Sequence, residues 1–178
     1  MIGAYFTHGP QAGKLAFSSF ARLPKAGAKP GTQSGAARVA RHGLQEGDLG
    51  AFDSDVLLTF IWELAGKPSD AAADWRREIP LEVWLDNYSV HKSERVKAEL
   101  PRLEAAQVRL RYLPAYCPEL SGIEPIWQEV KYRQVRIRSY KKVGDLKLAV
   151  EQALAFKAAE LQEAVRLEKA AKLPVGTA

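Results

Sequence analysis

Residues 82–93 read EVWLDNYSVHKS, and the placement of this stretch decides the fold. Val83, Trp84 and Leu85 form a short apolar run suited to a buried strand, and Asp86-Asn87 ends it with turn chemistry. A strand that delivers a carboxylate at its C-terminal tip is either ordinary punctuation, an Asx-type turn, or half of a site completed elsewhere. Trp84, like the later Trp127, is expected in the core.

Working outward, Ser93 can cap a helix over roughly 94–106, which Pro101 should kink or split. VRLRYLP follows, with Val108, Leu110 and Tyr112 alternating against Arg109 and Arg111, the period of a half-buried strand. If strands 81–85 and 108–112 are neighbours in one sheet, their C-terminal ends open on the same edge. After the loop PAYCPELSG, apolar residues Ile123, Ile126, Trp127 and Val130 fall at helical spacing. Glu124 stands at the start of that helix. It could close a capping box with Ser121, but Pro125 suits a helix that starts at Glu124 or beside it.

On the N-terminal side, two apolar segments near 1–7 and 14–20 flank HGPQAG and predict a hairpin. Residues 22–50, rich in glycine with an excess of basic residues, predict a long loop. FDSDVLLTFIWELAG predicts a helix, with Asp53 or Ser54 as its cap and Gly66 as its stop. A last helix is expected from about Asp145 to Lys172, with Leu146, Val150, Leu154, Leu161 and Val165 on one side. Strands alternating with helices after a hairpin predict a mixed α/β domain.

The chain has 178 residues, long enough for a real core, and a net charge of +5. Cys117 is its single cysteine, so no internal disulfide forms and a reducing compartment fits. No apolar stretch approaches the ~20 residues a membrane helix needs, and Met1 is not followed by a secretory pattern. The charge is concentrated in KYRQVRIRSYKK, residues 131–142. There Lys131, Arg133, Arg136, Arg138, Lys141 and Lys142 interleave with Tyr132 and Tyr140, with no acidic residue among them. Such a stripe suits a phosphate backbone, and equally suits a solvated helix end.

WLDNYSVHKS followed by LRYLPAYCPELSGIEPIWQEVKY resembles the catalytic domain of IS630/Tc1-mariner-type transposases of the DDE superfamily. The positions that match that family's motifs are Asp86, Asn87, His91, Leu113, Pro114, Tyr116, Pro118, Leu120, Ile123, Glu124, Trp127 and Lys131. Ala115, Cys117, Ser121 and Gly122 depart from it, all at loop positions. The resemblance implies an α/β, RNase H-like (retroviral integrase-type) mixed sheet with flanking helices. Asp86 and Glu124 would be catalytic and hold two Mg²⁺ (or Mn²⁺) ions. Asn87, His91 and Lys92 would border the site, where His91 and Lys92 could contact the scissile phosphate or orient water, and the basic stripe would track DNA.

The family's first catalytic Asp lies on a strand before the hairpin, so the resemblance implies a partial domain over 1–142 without that strand. No acidic residue precedes Glu46 to replace it. Residues 143–178 would form a helical extension packed on the domain. The expected function is cleavage and strand transfer at insertion-element ends, with the chain inactive alone and acting as a homo-oligomer or with a complementing N-terminal segment. The alternative is a non-catalytic DNA-binding or assembly protein. A cytoplasmic, nucleoid-associated location and no membrane contact follow from either.

Overall fold

A computed structural model describes residues 1–22, 35–115, 117–135 and 140–172. The chain divides into two compact units, one built from residues 1–51 and 122–178, the other from 52–121. Each contains strands and helices and has its own two-stranded sheet, so the α/β class expected from the pattern holds.

In the unit of residues 52–121, α2 (Ser54–Ala65) starts where Asp53 Oδ1 accepts from the backbone N–H groups of Asp55 (3.1 Å) and Val56 (2.9 Å). It stops at Gly66, whose φ of 72° is left-handed and favours glycine. The strands β3 (Leu81–Leu85) and β4 (Val108–Tyr112) pair in parallel, Leu81 opposite Val108 and Leu85 opposite Tyr112. Between them α3 (Glu94–Ala105) is capped by Ser93 Oγ, which accepts from Val96 N–H. The helix runs unbroken through Pro101. Leu57, Ile61, Val96, Leu103 and Val108 are fully buried. Burial of five such side chains is worth on the order of 10 kcal/mol before chain entropy is subtracted.

Both strands of this pair show one protected and one exposed face. Leu81, Val83 and Leu85 are half-buried, whereas Glu82 and Trp84 are exposed, as are Arg109 and Arg111. Trp84 is 59% accessible, which corrects the expectation that it fills the core. The reason was readable in the alternation, because a strand that turns Glu82 outward turns Trp84 outward too.

In the other unit, β1 (Ile2–Tyr5) and β2 (Leu15–Ser18) form the expected antiparallel hairpin. Residues 35–50 are not loop throughout. They contain α1 (Gly35–Arg41) and a 3₁₀ turn at Glu46–Asp48, and Ala21 forms a parallel bridge to Leu49. Propensity missed this because the segment is held by tertiary contacts. Ala21, Val39, Leu44 and Val143 pack together, and Lys147 Nζ sits 3.0 Å from Asp48 and 2.7 Å from Glu151. Gly144 donates its N–H to the His42 carbonyl (2.8 Å). A Cβ on Gly144 would fall 2.0 Å from the Gly43 carbonyl oxygen, so only glycine fits.

The long helix α5 (Val143–Ala171) and the short α4 (Glu124–Glu129) complete the unit. Leu15, Ile126, Val130, Val135 and Leu154 form its buried centre, with Tyr5, Phe17, Ile123, Trp127, Leu146, Val150 and Leu161 packed around them. The helical spacing of Ile123, Ile126, Trp127 and Val130 is therefore a packing stripe. A wider π-type turn, Val130–Gln134, follows α4, closed by Val135 N–H donating to the Val130 carbonyl (3.0 Å).

Candidate active site

Asp86 directly follows β3, and Leu113 directly follows β4, so the parallel pairing brings both strand tips to one edge. The last rung is Leu113 N–H to the Leu85 carbonyl (2.8 Å), and beyond it Asn87 Nδ2 donates to the Leu113 carbonyl (2.7 Å). Asn87 Oδ1 in turn accepts from Lys92 Nζ, which lies 5.3 Å from the centre of the Tyr112 ring. Asn87 thus staples the two tips.

The Asp86 carboxylate divides its two oxygens between different jobs. Oδ1 accepts from Tyr88 N–H at 2.9 Å, which is an Asx turn. Oδ1 also lies 2.8 Å from His91 Nδ1. Oδ2 makes no hydrogen bond to the described residues, and the side chain is 64% exposed. The turn reading and the ligand reading are therefore compatible, since one oxygen serves the fold and the other is left for a ligand.

His91 sits in the 3₁₀ turn Ser89–Lys92 with its side chain only 12% exposed. The rings of Phe52 and Tyr88 stand edge-on to it at 5.8 Å and 5.9 Å, and Tyr112 Oη donates to its backbone carbonyl at 2.8 Å. Sequence reasoning found His91 but missed this cage. Phe52 carries no local signal, because it precedes the site by a whole helix and strand. Tyr112 did carry one, since it shares the protected face with Val108 and Leu110.

Glu124 belongs to the other unit. It is the first residue of α4, with Ile123 as N-cap and Pro125 next. No side chain caps this helix, so the Ser121 box does not form. The N-terminal position of the helix favours a negative charge, and Glu124 is half-buried with no ion-pair partner among the described residues. Of the basic stripe, Lys131, Arg133, Lys141 and Lys142 are exposed and have no acidic partner among the described residues. Tyr132 is 73% exposed, with Lys131 Nζ 5.0 Å from its ring centre. Arg136 and Arg138, and Tyr116 of the loop motif, lie outside the described residues.

Carboxylate oxygens such as those of Asp86 and of Glu124 are of the kind Mg²⁺ and Mn²⁺ select. Among the described residues, no three His, Cys, Asp or Glu side chains cluster to hold a metal. No helix among the described residues is long and apolar enough to cross a membrane.

A comparison with curated protein sequences gave no match. A family model described as DDE superfamily endonuclease matches residues 51–147. The matched stretch takes in Asp86, Glu124 and the whole basic stripe, and covers more than half of the 178 residues. The chain belongs to the DDE superfamily of endonucleases.

Proposed function

We propose that the chain is the catalytic part of an IS630/Tc1-mariner-type transposase of RNase H-like fold, acting on DNA at insertion-element ends. The observation that carries this reading is a family match spanning a carboxylate at a parallel-strand tip, a second at a helix start, and an unpaired cationic stripe. Bound Mg²⁺ or Mn²⁺ ions supply activation of the attacking water or 3′-hydroxyl and neutralise the leaving oxygen of the phosphodiester. Asp86 would hold metal with its carboxylate while the turn to Tyr88 N–H persists, and Glu124, which has no ion-pair partner among the described residues, would supply carboxylate oxygens of the same kind. Lys131, Arg133, Lys141 and Lys142 neutralise backbone phosphates along the bound strand.

Two carboxylates leave a pair of metal ions short of a shared ligand. The reading therefore includes a further acidic residue supplied from outside these 178 residues, by an upstream segment or a separately encoded polypeptide. The bare face and outer edge of the β3–β4 pair support that inclusion, because parallel strands are ordinarily covered on both sides. The same observation favours the second reading, a DNA-binding assembly protein that pairs with another chain without cutting.

The test is cleavage of DNA carrying the element ends, with and without an added segment bearing the family's first acidic strand. The transposase reading predicts Mg²⁺-dependent release of 3′-hydroxyl ends in the complemented reaction, abolished by Asp86→Asn and by Glu124→Gln. Salt-sensitive binding without cleavage in either arm selects the assembly reading.

A further inference from the structure

The long helix α5 carries two apolar stripes. One is its packed side, where Leu146, Val150, Leu154 and Leu161 meet the core of their unit. The other is bare. Leu148, Phe156 and Leu167 are 55%, 67% and 58% exposed, and the exposed Ala155 and Ala159 lie between them. At about 100° of turn per residue, these five positions share the side of the helix opposite Leu154, which is fully buried. A surface helix ordinarily shows one apolar stripe and a polar opposite face. Single exposed apolar side chains need no account, but a row of them along one helix marks a contact.

We propose that this stripe binds the same stripe of a second copy of the chain, the two α5 helices lying antiparallel about a two-fold axis between Lys157 and Ala158. The spacing of the stripe argues for this occupant. That axis sets Leu148 of each copy level with Leu167 of the other, and the large Phe156 level with the small Ala159, so the pattern is its own complement. The polar positions match as well. Gln152 comes level with Glu163, whose carboxylate takes Arg166 at 2.8 Å and has acceptor capacity left for an amide N–H. Near the ends, Asp145 comes within one residue of Lys169, and both are exposed without an ion-pair partner among the described residues. A parallel pair would instead set like charge against like and align the two helix dipoles unfavourably. The stripe runs ~28 Å along a helix ~10 Å wide. That is a small area for an interface, so the dimer is weak and depends on concentration. It is independent of the reading of Asp86 and Glu124 as metal ligands.

Sedimentation equilibrium of the full chain reads the association. The expected result is a reversible monomer–dimer equilibrium, weakened about tenfold or more by Phe156→Lys, which takes the largest apolar side chain out of a small contact. Reversing one end charge, Asp145→Lys or Lys169→Asp, should also weaken it. The two reversals together should restore it, which a merely structural effect on the helix would not do. Register is read by disulfide trapping in a Cys117→Ser background. Leu148→Cys chains mixed with Leu167→Cys chains should link across copies. Either variant alone should not, because its two thiols lie ~28 Å apart along the helices. A monomer at every concentration overturns the proposal and means that some other segment or partner covers the stripe. A dimer unmoved by Phe156→Lys, or Leu148→Cys chains that link to themselves, overturns it too. Should Phe156→Lys not fold, the cysteine mixture decides, and its failure to link is the overturning result.

Discussion

Asp86 and Glu124 are supported by different physics. Asp86 stands at the tip of a parallel strand, where its Oδ1 accepts from Tyr88 N–H and lies 2.8 Å from His91 Nδ1, with Asn87 stapling the strand ends beside it. Glu124 receives no such bond from the described residues. It is carried by α4, whose Ile126, Trp127 and Val130 are seated in a core shared with Leu15 and Leu154. The first carboxylate is positioned by directional bonds that one atom can break. The second is positioned by packing, which is spread over many contacts and degrades gradually.

The comparison is broken most severely at the carboxylates themselves. Asp86→Asn and Glu124→Gln should each lower metal-dependent DNA cleavage by more than about a hundredfold, since a ligand removed outweighs a supporting bond removed. Quantifying 3′-hydroxyl ends in the complemented reaction checks this, and a residue whose loss is tolerated is not a ligand. Next comes packing. Leu154→Ala, which empties the centre of the core behind α4, should destabilise its unit by about 2–5 kcal/mol, read by urea denaturation. Tyr112→Phe removes one hydrogen bond to the His91 carbonyl and should cost only about 0.5–1.5 kcal/mol. A larger loss for Tyr112→Phe than for Leu154→Ala would reverse the contrast between the bonded surroundings of Asp86 and the packed support of Glu124.

A smaller effect is expected at the stripe. Replacing Lys131 and Arg133 with glutamine should weaken DNA binding uniformly across sequences and reduce the salt-dependence slope by about 2, measured by titration at several salt concentrations. Smallest is the pH response of the Asp48–Lys147–Glu151 cluster. Lys147 beside Glu151, with Ser19 donating to the same carboxylate, holds the Glu151 carboxyl below its usual range. The Gln45 backbone N–H and Lys147 do the same for Asp48. Carboxylates with lowered pKa contribute stability that is present above their unfolded values and is lost as pH falls through the folded ones. Thermal melts should therefore show this unit weakening below about pH 4, with Glu151→Gln blunting the change.

Much of this was legible in the sequence because local chemistry and tertiary structure agree. Asp53 and Gly66 bracket α2, Ser93 caps α3, and the alternation of Val108, Leu110 and Tyr112 gives β4 its protected face. A carboxylate at a strand end is by itself common punctuation, and Asp86 stood out only through the order of the motifs WLDNYSVHKS and LRYLPAYCPELSGIEPIWQEVKY. What was not legible depends on partners distant in sequence. Phe52 beside His91, and Gly144 against Gly43, have no signal within a local window. The helix within 35–50 was hidden by composition, because glycine-rich segments read as loop until the contacts of Val39 and Leu44 are known. Trp84 was misplaced for a different reason. Its hydrophobicity was weighed above the outward register that Glu82 had already set.

The central proposal is that Asp86 and Glu124 each serve as metal ligands, and iron-directed cleavage of the polypeptide tests it most directly. Fe²⁺ with ascorbate and peroxide generates oxidants at the bound ion, which cut the backbone close to its ligands. The account predicts two sets of fragments, one ending near residue 86 and one near residue 124, both suppressed by excess Mg²⁺. Fragments from only one of those positions, or from neither, would contradict it.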